Sequence, residues 1–251
     1  MNMNSGYIKE GERLDDLQLG GLFLIQNPKW FCFGVDAVLL SDFAAKTVKK
    51  DARVLDLCTG NGIIPILLSA KTSALGIYGV EIQEKVAEMA QRSVKLNGLE
   101  EKIEIAADDL KNAAARFGKG CFDCITCNPP YKEAFGGMKN AEDTVTAARH
   151  EIFCTLEDVI SVSGQLLRSG GKLCLIHRPE RLVEIICLMR KYGIEPKRLR
   201  FVHPYPSKTA TMVLAEGARG GRPKLHLEPP LYVHDGSGNY TEEINRIYGR
   251  I

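Results

Sequence analysis

Nowhere in the chain do apolar residues approach the roughly eighteen in a row that span a bilayer. The opening Met1-Asn2-Met3-Asn4 is polar where a secretory leader needs an apolar run. Both absences lead us to expect a cytoplasmic protein with no membrane partner. A large excess of one charge is missing too, with 33 Lys and Arg against 31 Asp and Glu and a net charge of +2. No internal repeat or low-complexity linker divides the 251 residues, of which 45% are hydrophobic. That length and composition suit one α/β domain over residues 36 to 251, preceded by an arm over residues 1 to 35.

Metal-binding geometry is also lacking, although eight cysteines are present. Cys58, Cys124, Cys127, Cys174 and Cys187 lie within apolar runs, where a thiol behaves as a small hydrophobe. Cys121-x-x-Cys124-x-x-Cys127 is spaced like a ligand set. In a strand, however, Cys124 faces away from the other two, so the three cannot converge on one ion. We therefore expect no metal. The even charge balance hides one block: residues 178 to 224 hold eleven Lys or Arg against four Glu and no Asp. Such a block suits a polyanionic partner, and it equally suits a solvated face.

What the chain does contain is organised around residues 122 to 131, Phe-Asp-Cys-Ile-Thr-Cys-Asn-Pro-Pro-Tyr. A β-forming run stops at Asn128-Pro129-Pro130-Tyr131, because proline has no N–H and biases its predecessor away from helix. The result is a stiff corner at the carboxyl end of a strand, where open α/β sheets bind ligands. An amide side chain (Asn128), the carbonyl of Pro129 and an aromatic face (Tyr131) are the parts that grip a planar amino group. Holding both hydrogens in a tetrahedral geometry localises the nitrogen lone pair and favours the transition state over the ground state. The same residues also make an ordinary Pro-Pro turn with a packing Tyr, and what lies upstream decides between the two.

Residues 53 to 62, Arg-Val-Leu-Asp-Leu-Cys-Thr-Gly-Asn-Gly, read as a strand entering a turn at Gly60 and Gly62, with a helix from Ile63. Glycines there let the backbone approach a ligand at a helix N-terminus. Asp56 near the strand end suits a cationic ligand and repels a phosphate. A second strand, residues 77 to 81, ends in Glu81, 21 residues past Gly60, where an acid grips ribose hydroxyls. Residues 103 to 107 form a third strand followed by Asp108-Asp109. One of these two accepts from an adenine amino group, and we favour Asp109. Four successive strands thus carry an acid or the Asn-Pro-Pro-Tyr corner on one sheet edge.

Upstream, residues 12 to 17 lead to residues 22 to 26, a turn at Asn27-Pro28-Lys29, and Trp30 to Phe33, read as a β-hairpin beside the domain. Asp36 opens a helix through Phe43, as a cap or as a site residue. Past the corner, residues 132 to 143 have no apolar period and read as a flexible loop or a substrate-gated lid. Arg149 and His150 begin the next helical region, Arg149 placed for a phosphate or for Glu151. Residues 156 to 167 have helical period, with Gly170-Gly171 as the stop, and residues 172 to 177 form strand five. A helix spans 181 to 191, and two strands, 198 to 203 and 211 to 215, flank the stiff basic loop His203-Pro204-Tyr205-Pro206-Ser207-Lys208. That loop suits RNA stacking and phosphate contact, although Pro and Tyr also make ordinary turns, and Arg198, Arg200 and Lys208 are the cations expected to meet RNA. Residues 225 to 233 read as an extended surface segment and residues 240 to 247 as a terminal helix.

Through these residues the chain resembles class I S-adenosylmethionine-dependent methyltransferases of the amino-methylating type, whose hallmark is [N/D]-P-P-[Y/F/W]. Among them it is most similar to the bacterial tRNA(Val) adenine-37 N6-methyltransferases, along nearly its whole length. The resemblance implies a Rossmann-like α/β fold with a seven-stranded sheet ordered 3-2-1-4-5-7-6, helices on both faces and an N-terminal β-hairpin arm. It implies S-adenosylmethionine as cofactor and S-adenosylhomocysteine as product. Asp56, Gly60, Gly62 and Glu81 would bind the cofactor's amino acid and ribose parts, Asp109 its adenine, and Asp36 would contact the cofactor near its methionine end, with Asn128 a further cofactor contact. Asn128 and Pro129 would hold the target amine and Tyr131 would stack on its ring, while Pro130, Arg149, Arg198, Arg200 and Lys208 would contact a tRNA or another structured RNA. The base must leave its stack, and in-line displacement needs no metal. Ala107 stands where relatives commonly carry glycine. Because guanine-N2, DNA adenine-N6 and glutamine-N5 methylators share the hallmark, those substrates stay open, as does a non-catalytic nucleotide-binding regulator. The oligomeric state is open as well.

Overall fold

Short β-forming runs alternating with amphipathic stretches become, in the computed structural model, one sheet with helices on both faces. The structure describes residues 6–30, 32–129 and 154–251. An N-terminal hairpin, β1 (Arg13–Asp16) and β2 (Phe23–Gln26), precedes α1 (Val35–Ala45). Then follow β3 (Arg53–Leu57), α2 (Ile63–Lys71), β4 (Gly76–Glu81), α3 (Glu84–Leu96), β5 (Ile103–Ala107), α4 (Ala113–Phe117) and β6 (Phe122–Cys127). The carboxyl half holds α5 (Leu156–Leu166), β7 (Leu167–His177), α6 (Leu182–Lys191), β8 (Ile194–His203), β9 (Met212–Arg219), β10 (His226–Leu227), β11 (Leu231–Tyr232) and α7 (Glu242–Ile247).

The sheet runs β8-β9-β7-β6-β3-β4-β5. With β3 to β9 counted as strands one to seven, this is the order 3-2-1-4-5-7-6. The pairs among β5, β4, β3, β6 and β7 are parallel, whereas β9 is antiparallel to both β7 and β8. Strand alternation splits the core into two layers. Val54, Ile77 and Cys124 face α1, α2, α3 and α7, with Leu39, Leu40, Ile66, Val94 and Ile244. Leu55, Leu57, Ile125 and Cys127 face α4, α5 and α6, with Ile160, Leu166 and Ile185. Cys124 and Cys127 therefore lie in different layers, and all eight cysteines are free thiols.

Three elements depart from expectation. The hairpin pairs Arg13 with Gln26 through Asp16 with Phe23. Trp30 and Phe33 take no part in it, and the Phe33 amide donates to the Gln26 side chain at 3.0 Å instead. Strand β7 begins at Leu167, so Gly170-Gly171 lies inside a strand rather than ending a helix. A Cβ at Gly171 would stand 2.9 Å from the Phe122 carbonyl oxygen, and the register against β6 shifts between Phe122 and Cys124. The glycines thus serve a bulge with close backbone approach. Lastly, the segment expected to be merely extended adds β10 and β11, both parallel to β8.

Candidate active site

Parallel pairing puts the carboxyl ends of β3, β4, β5 and β6 along one edge. Between β3 and α2 the chain turns through left-handed backbone at Cys58 (φ 57°), Gly60 (φ 57°) and Gly62 (φ 81°). The two glycines differ in purpose. A Cβ on Gly62 would lie 3.2 Å from the Ala90 Cβ, so this glycine lets α2 close onto α3. Around Gly60 a Cβ would meet nothing within 4 Å, which leaves open space against the turn. The Gly60 amide donates to Glu81 Oε2 at 2.9 Å, and the Gln83 amide donates to Oε1 at 3.0 Å. Glu81 therefore ties the end of β4 to the turn on β3.

Asp56 does not stand at the rim as the sequence suggests. It lies one residue inside β3, fully buried. Thr126 of β6, its register partner, donates from Oγ1 to Asp56 Oδ1 at 2.6 Å. Asp56 Oδ2 and Thr59 Oγ1 are buried without a hydrogen-bond partner among the described residues. Burial, helped by the negative charge of Glu81, pushes the Asp56 carboxyl up to about 7, against the lowering effect of the nearby Thr126 and Thr59 hydroxyls. An orphaned carboxylate oxygen below the turn, open space at Gly60 and the amides opening α2 fit a ligand that carries positive charge and ribose hydroxyls.

Asn128 follows Cys127, whose register partner is Leu57, so the corner emerges beside the turn. Its Nδ2 donates to Asp36 Oδ2 at 2.9 Å. Asp36 sits in the first turn of α1, one residue inside the helix rather than at its cap, which is Gly34. Pro129 is buried. Asp108 and Asp109 end β5 as a pair of local caps. Asp108 Oδ1 accepts from the Asp109 amide at 2.8 Å and from Asn112 Nδ2 at 2.9 Å, and Asp109 Oδ1 accepts from the Lys111 amide at 2.9 Å. Pro130, Tyr131, residues 132 to 143, Arg149 and His150 lie outside the described residues.

Much of the basic block between residues 178 and 224 is paired with carboxylates. Arg198 donates to Glu216 at 2.8 Å, to Glu228 at 3.1 Å and to the Phe43 carbonyl at 2.8 Å, with its guanidinium 3.9 Å from the centre of the Phe43 ring. Arg200 forks onto Glu243 at 2.8 and 2.9 Å and is buried. Both side chains are internal ties that hold β8 to α1, β9, the segment between β10 and β11, and α7, not an RNA surface. Lys208 is exposed, as expected, in a loop closed by its own amide on the Tyr205 carbonyl at 3.1 Å.

Four features escaped the sequence reading. Gln26 Oε1 accepts from Asn61 Nδ2 at 3.0 Å and so joins the arm to the turn. Thr126 is the partner of Asp56, visible only once β3 and β6 pair. Gly34 flanks Asp36, and a Cβ there would stand 2.9 Å from Asp36 Oδ1. Tyr205, His234, Tyr240 and Tyr248 form a stacked column with centroid spacings of 5.1, 5.1 and 5.8 Å. Of these, only the Tyr205 loop carried a signal in the sequence.

Known proteins resemble this chain in sequence and in fold. The tRNA1(Val) (adenine(37)-N6)-methyltransferase of Porphyromonas gingivalis strain W83 is 29% identical over 222 residues, covering 85% of this chain and 86% of its own. The protein of that name from Aeromonas salmonicida is 27% identical over 211 residues, covering 83% and 85%. Among solved structures, a predicted O-methyltransferase from Agrobacterium tumefaciens superposes with a TM-score of 0.69 at 24% identity, over 85% of this chain and 95% of that one. M. jannaschii TYW2 in complex with AdoMet gives 0.56 at 16%, over 84% and 88%. The model of the methyltransferase small domain matches residues 34–192. That span takes in Asp36, the glycine turn, Glu81 and the Asn128 corner together, and the chain belongs to the methyltransferase small-domain family.

Proposed function

We propose that the protein is a cytoplasmic S-adenosylmethionine-dependent methyltransferase acting on the N6 amino group of an adenosine in tRNA, as the names of its relatives describe for them. One observation carries the reading: the Asn128-Pro129 corner leaves β6 directly beside the glycine turn of β3, with Asn128 anchored on α1. When bound, S-adenosylmethionine supplies an electrophilic methyl group on a positively charged sulfur. Gly60 gives it room, Glu81 is positioned for ribose hydroxyls and Asp109 for the adenine, and Asp56 faces its charge from beneath the turn. Asn128 and the Pro129 carbonyl accept the two hydrogens of the target amine, which turns its lone pair out of conjugation. As the nitrogen took the methyl group, the methyl carbon–sulfur bond would break with S-adenosylhomocysteine as the leaving group, and the alkylated nitrogen, its acidity raised, would lose a proton to solvent, so the chain need supply neither a strong base nor a metal. Tyr131 stacks on the extruded base, Pro130 stiffens the corner, and Arg149 and Lys208 meet phosphates.

The test is nucleoside mass spectrometry of tRNA incubated with enzyme and cofactor. N6-methyladenosine at one tRNA position is the expected product. Label that survives RNase and resides in protein glutamine would overturn the reading, as would methylation at guanine-N2 alone.

A further inference from the structure

The reaction needs more from Asn128 than its presence. A side-chain amide is nearly symmetric in shape but opposite in chemistry at its two ends, and only the carbonyl end accepts a hydrogen from an amine. Turned by a half-rotation, Asn128 would set a donor against a donor. Something must hold the amide the right way round.

Asp36 has the chemistry to do this. A carboxylate only accepts, so the 2.9 Å contact to Asp36 Oδ2 selects Nδ2 as the end turned toward α1 and sends Oδ1 to the other side of the amide. The carboxylate is itself fixed. It stands in the first turn of α1, where exposed amides and the helix dipole favour negative charge, and its Oδ1 accepts from the Ala37 amide at 3.0 Å. Its position also depends on a missing atom, because a Cβ on Gly34 would stand 2.9 Å from that same Oδ1. Gly34 has φ −112° and ψ −172°, extended backbone that any residue adopts. Glycine is therefore not needed there for conformation, only for space beside the carboxylate.

We propose that Asp36 is a positioning residue for the acceptor clamp, seated by Gly34, and that it orients the Asn128 amide so that its carbonyl oxygen is offered to the target amine. This rests on the methyltransferase reading, and it replaces the expectation that Asp36 contacts the cofactor.

Three variants test it, each assayed for turnover on tRNA, for S-adenosylhomocysteine affinity by calorimetry, and for exchange of the Asn128 side-chain amide hydrogens by NMR in cofactor-free protein. Asp36→Ala should lower kcat about 10- to 100-fold, the range for weakening one transition-state acceptor. Its S-adenosylhomocysteine affinity and KM should stay within about twofold of the parent, and the Asn128 amide hydrogens should exchange faster. Asp36→Asn keeps an acceptor and should recover most of the turnover. Gly34→Ala keeps the carboxylate but displaces it, and should lose turnover and amide protection together while melting like the parent. The proposal is overturned if Asp36→Ala loses S-adenosylhomocysteine affinity in step with kcat, if Asp36→Asn is as impaired as Asp36→Ala, or if Gly34→Ala matches the parent in both turnover and amide exchange. Should Asp36→Ala fail to fold, Gly34→Ala decides alone. A parent enzyme that methylates no RNA would instead sink the methyltransferase reading, while the amide-exchange comparison would still judge the Asp36 contact.

Discussion

A carboxylate sealed inside a parallel sheet costs free energy unless it is protonated or meets a positive charge. Asp56, with burial lifting it from the ordinary 3.8 to about 7, shows that cost. Between those values the folded protein keeps a proton that the unfolded chain has released. The resulting contribution to stability is complete below about pH 4 and is lost as the pH rises through about 7. In cofactor-free protein, the stability of the parent relative to Asp56→Asn should fall by up to about 4 kcal/mol across that window. Urea denaturation of both proteins from pH 4 to 8 measures this, and a difference that stays level would mean that the carboxylate is already ionised within the fold. Asn128→Ala should behave otherwise, leaving S-adenosylmethionine affinity near that of the parent and lowering turnover at least about 100-fold. Equal turnover of variant and parent would remove Asn128 from the clamp. Positions such as Gly60, Asn128 and Pro129 were legible in sequence because glycine admits backbone that other residues avoid, and proline fixes its own backbone and restricts the residue before it. The surroundings of Asp56 and Asp36 were not, because Thr126 lies 70 residues from Asp56 and Asn128 lies 92 from Asp36.

At the scale of elements, the alternation of strands and helices is readable because each strand buries one set of side chains on each face. How the arm attaches is not, because that depends on hydrogen bonds from α3 to a hairpin far off in sequence. Asn97, at the end of α3, accepts from the Phe23 amide at 2.9 Å and donates to the Phe23 carbonyl at 2.7 Å, and Ser93 Oγ accepts from the Ile25 amide at 3.0 Å. A helix thus supplies β2 with the partners that a third strand would give. The hairpin in turn holds Gln26 against Asn61 in the cofactor turn. Asn97→Ala should strand the backbone groups of Phe23 and cost about 1–3 kcal/mol. Amide hydrogen exchange at Phe23 and Ile25 should speed up while exchange in β3 and β6 does not change. Unchanged protection at both amides would mean that apolar packing alone seats the arm. Gly170-Gly171 shows the opposite limit, since a glycine pair signals a break in sequence and only the approach of the Phe122 carbonyl shows that the break is a bulge.

For the whole molecule, charge counted along the sequence overstated the polyanion-binding surface. Of the eleven basic residues between 178 and 224, Arg181, Arg190, Lys191, Arg198 and Arg200 pair with carboxylates, several of them contributed from outside the block. Glu157, Glu228 and Glu243 come from distant segments, so neutralisation is visible only in three dimensions. What stays exposed beside an aromatic column is Lys208, in the loop that carries Tyr205. The two classes of cation should respond differently to the same substitution. Lys208→Ala should leave thermal stability unchanged, weaken tRNA binding at low salt, and reduce the slope of log affinity against log salt by about 0.7 to 0.9, the loss of one phosphate contact. Arg198→Ala removes the cation shared by Glu216 and Glu228, which keep Lys172 at 3.3 Å and Arg200 at 3.8 Å, and should cost about 1–3 kcal/mol of stability. Its salt slope, measured below the melting temperature, should equal that of the parent. Binding titrations at stepped salt beside thermal melts separate the two, and a reduced slope for Arg198→Ala would return that arginine to the RNA surface.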